Sequence, residues 1–152
     1  MTANATDTTG ERLILRSTLP DLARIPPWLE RLAAQYAIPD EAQFAMDVCL
    51  EEVLSNVIRH GYAGQPDRPI LVQFSSPREG YFVFVVDDEA PPFDPLAAAE
   101  LPILHSLAET RVGGNGIRLL RQFASAVEYQ LTPTGNRLTM GFAAASSATD
   151  AG

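Results

Sequence analysis

Apolar residues recur at helical spacing through residues 21–36, where Leu22, Ile25, Leu29, Leu32 and Tyr36 share one face. Pro26 and Pro27 interrupt that pattern, so the regular helix is expected to start only there, with proline accepted in its first turn. A longer helix is predicted over residues 39–60, with Asp40 and Glu41 in its first turn and Gly61 as its stop. Strand-like runs occupy residues 12–18, 70–75 and 81–86, the last two joined by a Pro/Arg/Glu/Gly turn. Residues 91–112 are rich in Pro and Ala, a long connection of the kind that often forms a functional lid. A third helix is predicted over 116–124, then strands over 127–132 and 137–142 around a Thr-Gly-Asn turn. This order predicts an α/β sandwich with helices on one face of a mixed sheet. The domain is expected to run from 11 to 142, with mobile tails at 1–10 and 143–152.

Composition narrows the function. A chain of 152 residues has room for one domain with a real core. The net charge of −8 and the lack of a Lys/Arg cluster count against nucleic acid as a partner. No apolar run approaches the ~20 residues needed to span a bilayer, and no signal peptide is visible, so a cytoplasmic location is expected. Cys49 is the only cysteine, which excludes an internal disulfide, and its apolar neighbours mark it for the core.

The candidate chemistry lies in three segments. Glu52 and Asn56 are four residues apart on the second helix and so stack on one face. A carboxylate there suits a general base, and an amide oxygen suits a hard cation such as Mg²⁺. Asp88 ends an apolar strand, where it either starts a turn or accepts a hydrogen bond from the exocyclic amine of a base. Gly113, Gly114 and Gly116 precede or open a helix, an arrangement suited to phosphates and equally to a hinge. Arg111, just before them, fits either a surface position or a lid arginine near a terminal phosphate. Taken together these read as a nucleotide site with a catalytic acid.

That joint pattern resembles the ATP-binding domain of the anti-sigma-factor serine-protein kinases, the RsbW type of bacterial partner-switching systems. Those proteins share the histidine-kinase-like ATPase, or Bergerat, fold with DNA gyrase, sensor histidine kinases and MutL. Glu52-Val53-Leu54-Ser55-Asn56 with Arg59-His60-Gly61-Tyr62 resembles the family's first box, in which the glutamate is the base and the asparagine holds Mg²⁺. Asp88 with Pro92-Phe93-Asp94-Pro95 resembles the second, whose aspartate accepts from the adenine amine. Arg111-Val112-Gly113-Gly114-Asn115-Gly116-Ile117 resembles the third, which brings backbone amides and the lid to the triphosphate. The resemblance therefore implies Glu52 as the catalytic residue and Asn56 as the metal ligand. Arg59, His60, Asp88, Ala90, Phe93, Arg111, Gly113, Gly114, Asn115 and Gly116 join Asn56 around the nucleotide. Ala90 stands where the family usually has glycine, a change that would narrow the approach of the adenine or restrict φ. Ser125 stands where an acidic residue is common.

The fold that the resemblance implies is a two-layer sandwich with a mostly antiparallel sheet. The activity it implies is a Mg·ATP-dependent serine/threonine protein kinase that also acts as an anti-sigma factor. Its substrate would be a serine on an anti-sigma-factor antagonist of the STAS fold, its second partner a sigma factor or other regulator, and homodimers are common in the family. The alternative is an ATP-binding regulatory module with little or no phosphotransfer, or an interaction protein with a vestigial pocket.

Overall fold

The structure, a computed structural model, describes residues 10–94 and 115–144, with backbone alone over 115–118. Strand β1 (Glu11–Arg16) leads through a 3-10 turn (Leu19–Arg24) into helix α1 (Ile25–Tyr36). The prolines sit in the first turn of α1, and the residues ahead of them take the tighter winding. Helix α2 (Asp40–Asn56) follows, then a π turn (Val57–Gly61), strands β2 (Pro69–Arg78) and β3 (Tyr81–Asp88), helix α3 (Asn115–Phe123), and strands β4 (Ala126–Leu131) and β5 (Asn136–Ala143). The second predicted helix thus stops being α-helical four residues early. Tyr62 N–H bonds the carbonyl of Val57 at 2.7 Å, closing one wide turn that re-aims Arg59 and His60.

Among the described residues the sheet order is β1-β2-β3-β5-β4, and every pairing is antiparallel. This corrects the expectation of a mixed sheet. β3 and β4 do run in the same direction, as a strand–helix–strand connection requires, but β5 is inserted between them and faces both the opposite way. Ala143, expected in a tail, pairs with Tyr81 in β5, and the buried Ala144 donates its N–H to Gly80 at 2.8 Å. Ser125 serves the same edge, its hydroxyl accepting the Ala143 N–H at 3.0 Å.

One face of the sheet carries the core by strict alternation: Val72 and Phe74 on β2, Phe82, Phe84 and Val86 on β3, Met140 and Phe142 on β5. Against it pack Ile25, Leu29 and Leu32 of α1, as their spacing predicts, together with Trp28, whose ring meets Phe84 edge-on at 6.0 Å. From α2 come Met46, Cys49, Leu50, Val53 and Leu54. Burial and the nearby Glu52 charge push the Cys49 thiol up to about 12, so it stays a protonated core group. Among the described residues no helix is long and apolar enough to cross a membrane.

Leu50 has no exposed surface and lies where α2 meets the sheet. Leu50→Ala is expected to cost about 2–5 kcal/mol, the usual range for a large-to-small core change. Urea unfolding followed by the fluorescence of Trp28, the only tryptophan, measures it. A loss below about 1 kcal/mol would mean that α2 is not seated as described.

Candidate functional site

The site forms where the C-terminal ends of α2 and β3 meet the β4–β5 hairpin. Asp88, the last residue of β3, is 8% exposed, and beside it Asn136 opens β5 at 5%. Asp88 Oδ1 accepts two hydrogen bonds, from Asn136 Nδ2 and from the N–H of Ala90, both at 2.8 Å. The second is the turn bond that an Asp at a strand end is suited to make. Both bonds end on Oδ1, which leaves Oδ2 to accept from a ligand. The turn reading of Asp88 is thus met on Oδ1 alone.

Asn136 ties the site together. Its Nδ2 also lies 3.2 Å from the carbonyl of Ala90 and 3.1 Å from that of Pro91. Its Oδ1 accepts the N–H of Phe93 at 3.0 Å and a short bond from the Tyr129 hydroxyl. Gly135 permits this approach. A Cβ there would sit 1.9 Å from the Asp88 carbonyl oxygen and 2.7 Å from Glu89 Cα, both backbone atoms that cannot swing away. Tyr62 holds the other flank: its buried hydroxyl donates to the Pro69 carbonyl at 2.6 Å and accepts from the Glu89 N–H at 2.7 Å.

Burial is the main reason that the Asp88 pKa is raised, with the charges of Asp87 and Glu89 adding to it. The bonds from Asn136 and Ala90 pull it back down. A raised folded-state value means that the protonated form contributes stability below the ordinary carboxylate range. That contribution is lost as pH rises through the raised value.

Asn56 reaches this place from α2. With Asp88, Phe93, Tyr129, Asn136 and apolar neighbours it lines a cavity of about 20 Å³, room for about one water. Its amide makes no hydrogen bond to another described side chain and is free to coordinate. Ala90 contributes backbone only. Its methyl group faces Gly61, where a Cβ would stand 3.4 Å away, and it does not line the cavity. Its φ is not positive, so the turn has no need of glycine there. Phe93 closes one side and stacks on His60, ring centroids 6.1 Å apart.

Glu52 lies one turn before Asn56, yet it faces a different opening. Four residues advance a helix by about 6 Å and turn it by about 40°. Glu52 lines a separate groove of about 630 Å³, with Glu51, Ser55 and Arg59 along α2 and Leu19, Leu22 and Ile25 opposite. Glu51 is exposed on this groove. Arg111, Gly113 and Gly114, with the rest of the expected lid, lie outside the described residues; Asn115 and Gly116 open α3. Among the described residues no group of three His, Cys, Asp or Glu side chains could hold a metal, so a cation here would rest on Asn56 and on oxygens brought by a ligand.

The sequence model of the histidine kinase-like ATPase domain matches residues 15–142. The chain belongs to this family. As a histidine kinase-like ATPase domain it is an ATP-binding, kinase-like unit. It is 29% identical over 113 residues to the serine/threonine-protein kinase BtrW of Bordetella bronchiseptica, covering 74% of this chain and 79% of that protein. It shares its fold with the histidine kinase domain of a blue-light activated histidine kinase from Erythrobacter litoralis, at a TM-score of 0.50 and 19% identity over 86% of this chain. The chain spans 63% of that neighbour's length.

Asn136, Tyr129 and Gly135 carried no site role in the sequence, and Tyr62 entered only as the end of the first-box motif. The first three read as strand and turn, and only the pairing of β5 with β3 brings them to Asp88. Asp88→Asn removes the ionisation while keeping an acceptor for Asn136 and Ala90. The stability of the wild type relative to this variant is therefore expected to fall as pH rises from the acidic range to neutrality. Thermal melts across that range check the sign, and a rising difference would contradict the burial account.

Proposed function

We propose that this chain is a Mg·ATP-dependent serine/threonine protein kinase whose nucleotide base is read by Asp88. The observation that most supports it is the pair of openings on either side of α2. One holds the buried acceptor Asp88 with Asn56, and the other holds a half-buried carboxylate, Glu52, lining a groove of about 630 Å³. A module that only bound nucleotide would have no use for Glu52. The likeness to a serine/threonine-protein kinase points the same way.

Asp88 Oδ2 would accept from the exocyclic amine of adenine, and Phe93 would shift to enlarge the cavity for the ring. The amide oxygen of Asn56 would be the protein ligand of Mg²⁺, which neutralises charge on the phosphates when bound. Glu52 would take the proton of the incoming serine hydroxyl as its oxygen bonds to the γ-phosphorus. The bond from that phosphorus to the bridging oxygen then breaks, and ADP leaves with the electron pair. Arg111 and the segment Gly113, Gly114, Asn115, Gly116 would surround the triphosphate, with Arg59 and His60 at the mouth of the site. The hydroxyl belongs, in this reading, to a STAS-domain antagonist. Its phosphorylation would release the kinase to sequester a sigma factor or similar regulator.

The Ala90 methyl group faces Gly61 and does not line the cavity, which supports nucleotide entry; an ATP-binding regulatory module with little or no phosphotransfer is the alternative reading. Two variants separate binding from chemistry. Asp88→Asn places an amide donor opposite the adenine amine and is expected to weaken ATP binding more than tenfold by calorimetry. Glu52→Gln is expected to keep ATP affinity within a few-fold and to lose phosphoryl transfer by ~10²–10⁴-fold. Unchanged transfer in Glu52→Gln would remove it as the base, and tight GTP binding would remove the adenine assignment.

A further inference from the structure

The groove that holds Glu52 has two unlike walls. On one side Leu19 and Leu22 present carbon above the buried Ile25, with Leu19 42% exposed. On the other, Asp47, Glu51, Ser55 and Arg59 recur every four residues and form one polar stripe along α2 and its π turn. A second depression of about 280 Å³ shares Pro26 and Asp47 with the groove and continues it toward Phe44, which is 59% exposed. Together their linings hold five carboxylates and one cation, Arg59.

Asp47 makes no hydrogen bond or ion pair with another described residue. It is only partly exposed, and burial raises its pKa, so its charge is short of solvation. A cation brought by a partner would restore what burial removes. From Asp47 to Arg59 the stripe runs about 18 Å, the span of five or six residues of extended chain. The sign change along it, acidic at Asp47 and Glu51 and basic at Arg59, would favour one direction of binding.

We propose that this groove docks an extended segment of the phosphoacceptor protein, with lysine or arginine against Asp47 and Glu51 and an apolar side chain against Leu19 and Leu22. The inference rests on the kinase reading, because Glu52 lies within the same groove and would meet the hydroxyl of a chain seated there. Substrate selection is thereby assigned to charge and apolar contact along α2, apart from the nucleotide cavity.

The test uses the full chain and two fluorescein-labelled synthetic peptides. One contains a serine, two lysines and two leucines, and the other replaces the lysines with glutamates. Anisotropy is expected to show the lysine peptide binding at least tenfold more tightly, and less so as salt is raised. The double variant Asp47→Asn/Glu51→Gln is expected to weaken the lysine peptide about tenfold, and Leu19→Ser several-fold. Both should keep the wild-type melting temperature and ATP affinity. Equal binding of the two peptides, or an unaltered affinity in the double variant, overturns the proposal. So does self-association of the chain that the double variant dissolves, since the occupant is then a second copy. A lysine peptide that binds as expected but never receives phosphate supports the groove and counts against the kinase. Phosphorylation with the same kcat/KM in wild type and double variant does the reverse.

Discussion

A carboxylate drawn out of water at the end of a central strand sets the terms for the rest of this site. Asp88 is 8% exposed, and its charge is tolerable only because Asn136 and the Ala90 N–H bond one of its oxygens. That requirement fixes where the β4–β5 hairpin must lie, since Asn136 can reach Asp88 only if β5 is paired with β3 in the observed register. It also fixes the residue before Asn136, because any side chain at 135 would collide with the Asp88 backbone. Tyr62 does for the Glu89 side of the turn what Asn136 does for the Ala90 side. The acceptor is therefore held from two directions, by elements far apart in the chain.

Much of the fold was legible in the pattern of apolar residues. Ile25, Leu29 and Leu32 at helical spacing do cover the sheet, and the apolar runs at 70–75 and 81–86 do form neighbouring strands. The insertion of β5 between β3 and β4 was not legible, because hydrophobic alternation says which face of a strand is buried and nothing about its neighbours. The same gap explains the site. Glu52, Asn56 and Asp88 stand out locally, as an acid and an amide on an apolar helix and an acid ending an apolar strand. Asn136 and Tyr129 act only through tertiary contact, and a Thr-Gly-Asn turn carries no local mark of that.

Helix α2 does two jobs because of its pitch. Asn56 turns toward the cavity under β3, while Glu52, one turn earlier, turns toward the groove beside α1. Only about 40° of helix rotation separates the two, and the boundary between the openings falls between them. The π turn that follows swings His60 onto Phe93, while Arg59 continues the polar stripe of the groove. One continuous piece of backbone thus borders both the cavity beside Asp88 and the groove beside α1.

The position of β5 also bears on how the molecule is made. It is the last strand of the sheet to leave the ribosome, yet it occupies an interior place, with β3 on one side and β4 on the other. Chains fold largely in the order of synthesis, so β1, β2 and β3 can pair while the far edge of β3 is still open. That edge offers unpaired backbone next to Phe82, Phe84 and Val86, the kind of surface on which nascent chains associate with one another. Asp88 waits through the same interval without Asn136. Burial of its charge and closure of the sheet are then completed by a single late event.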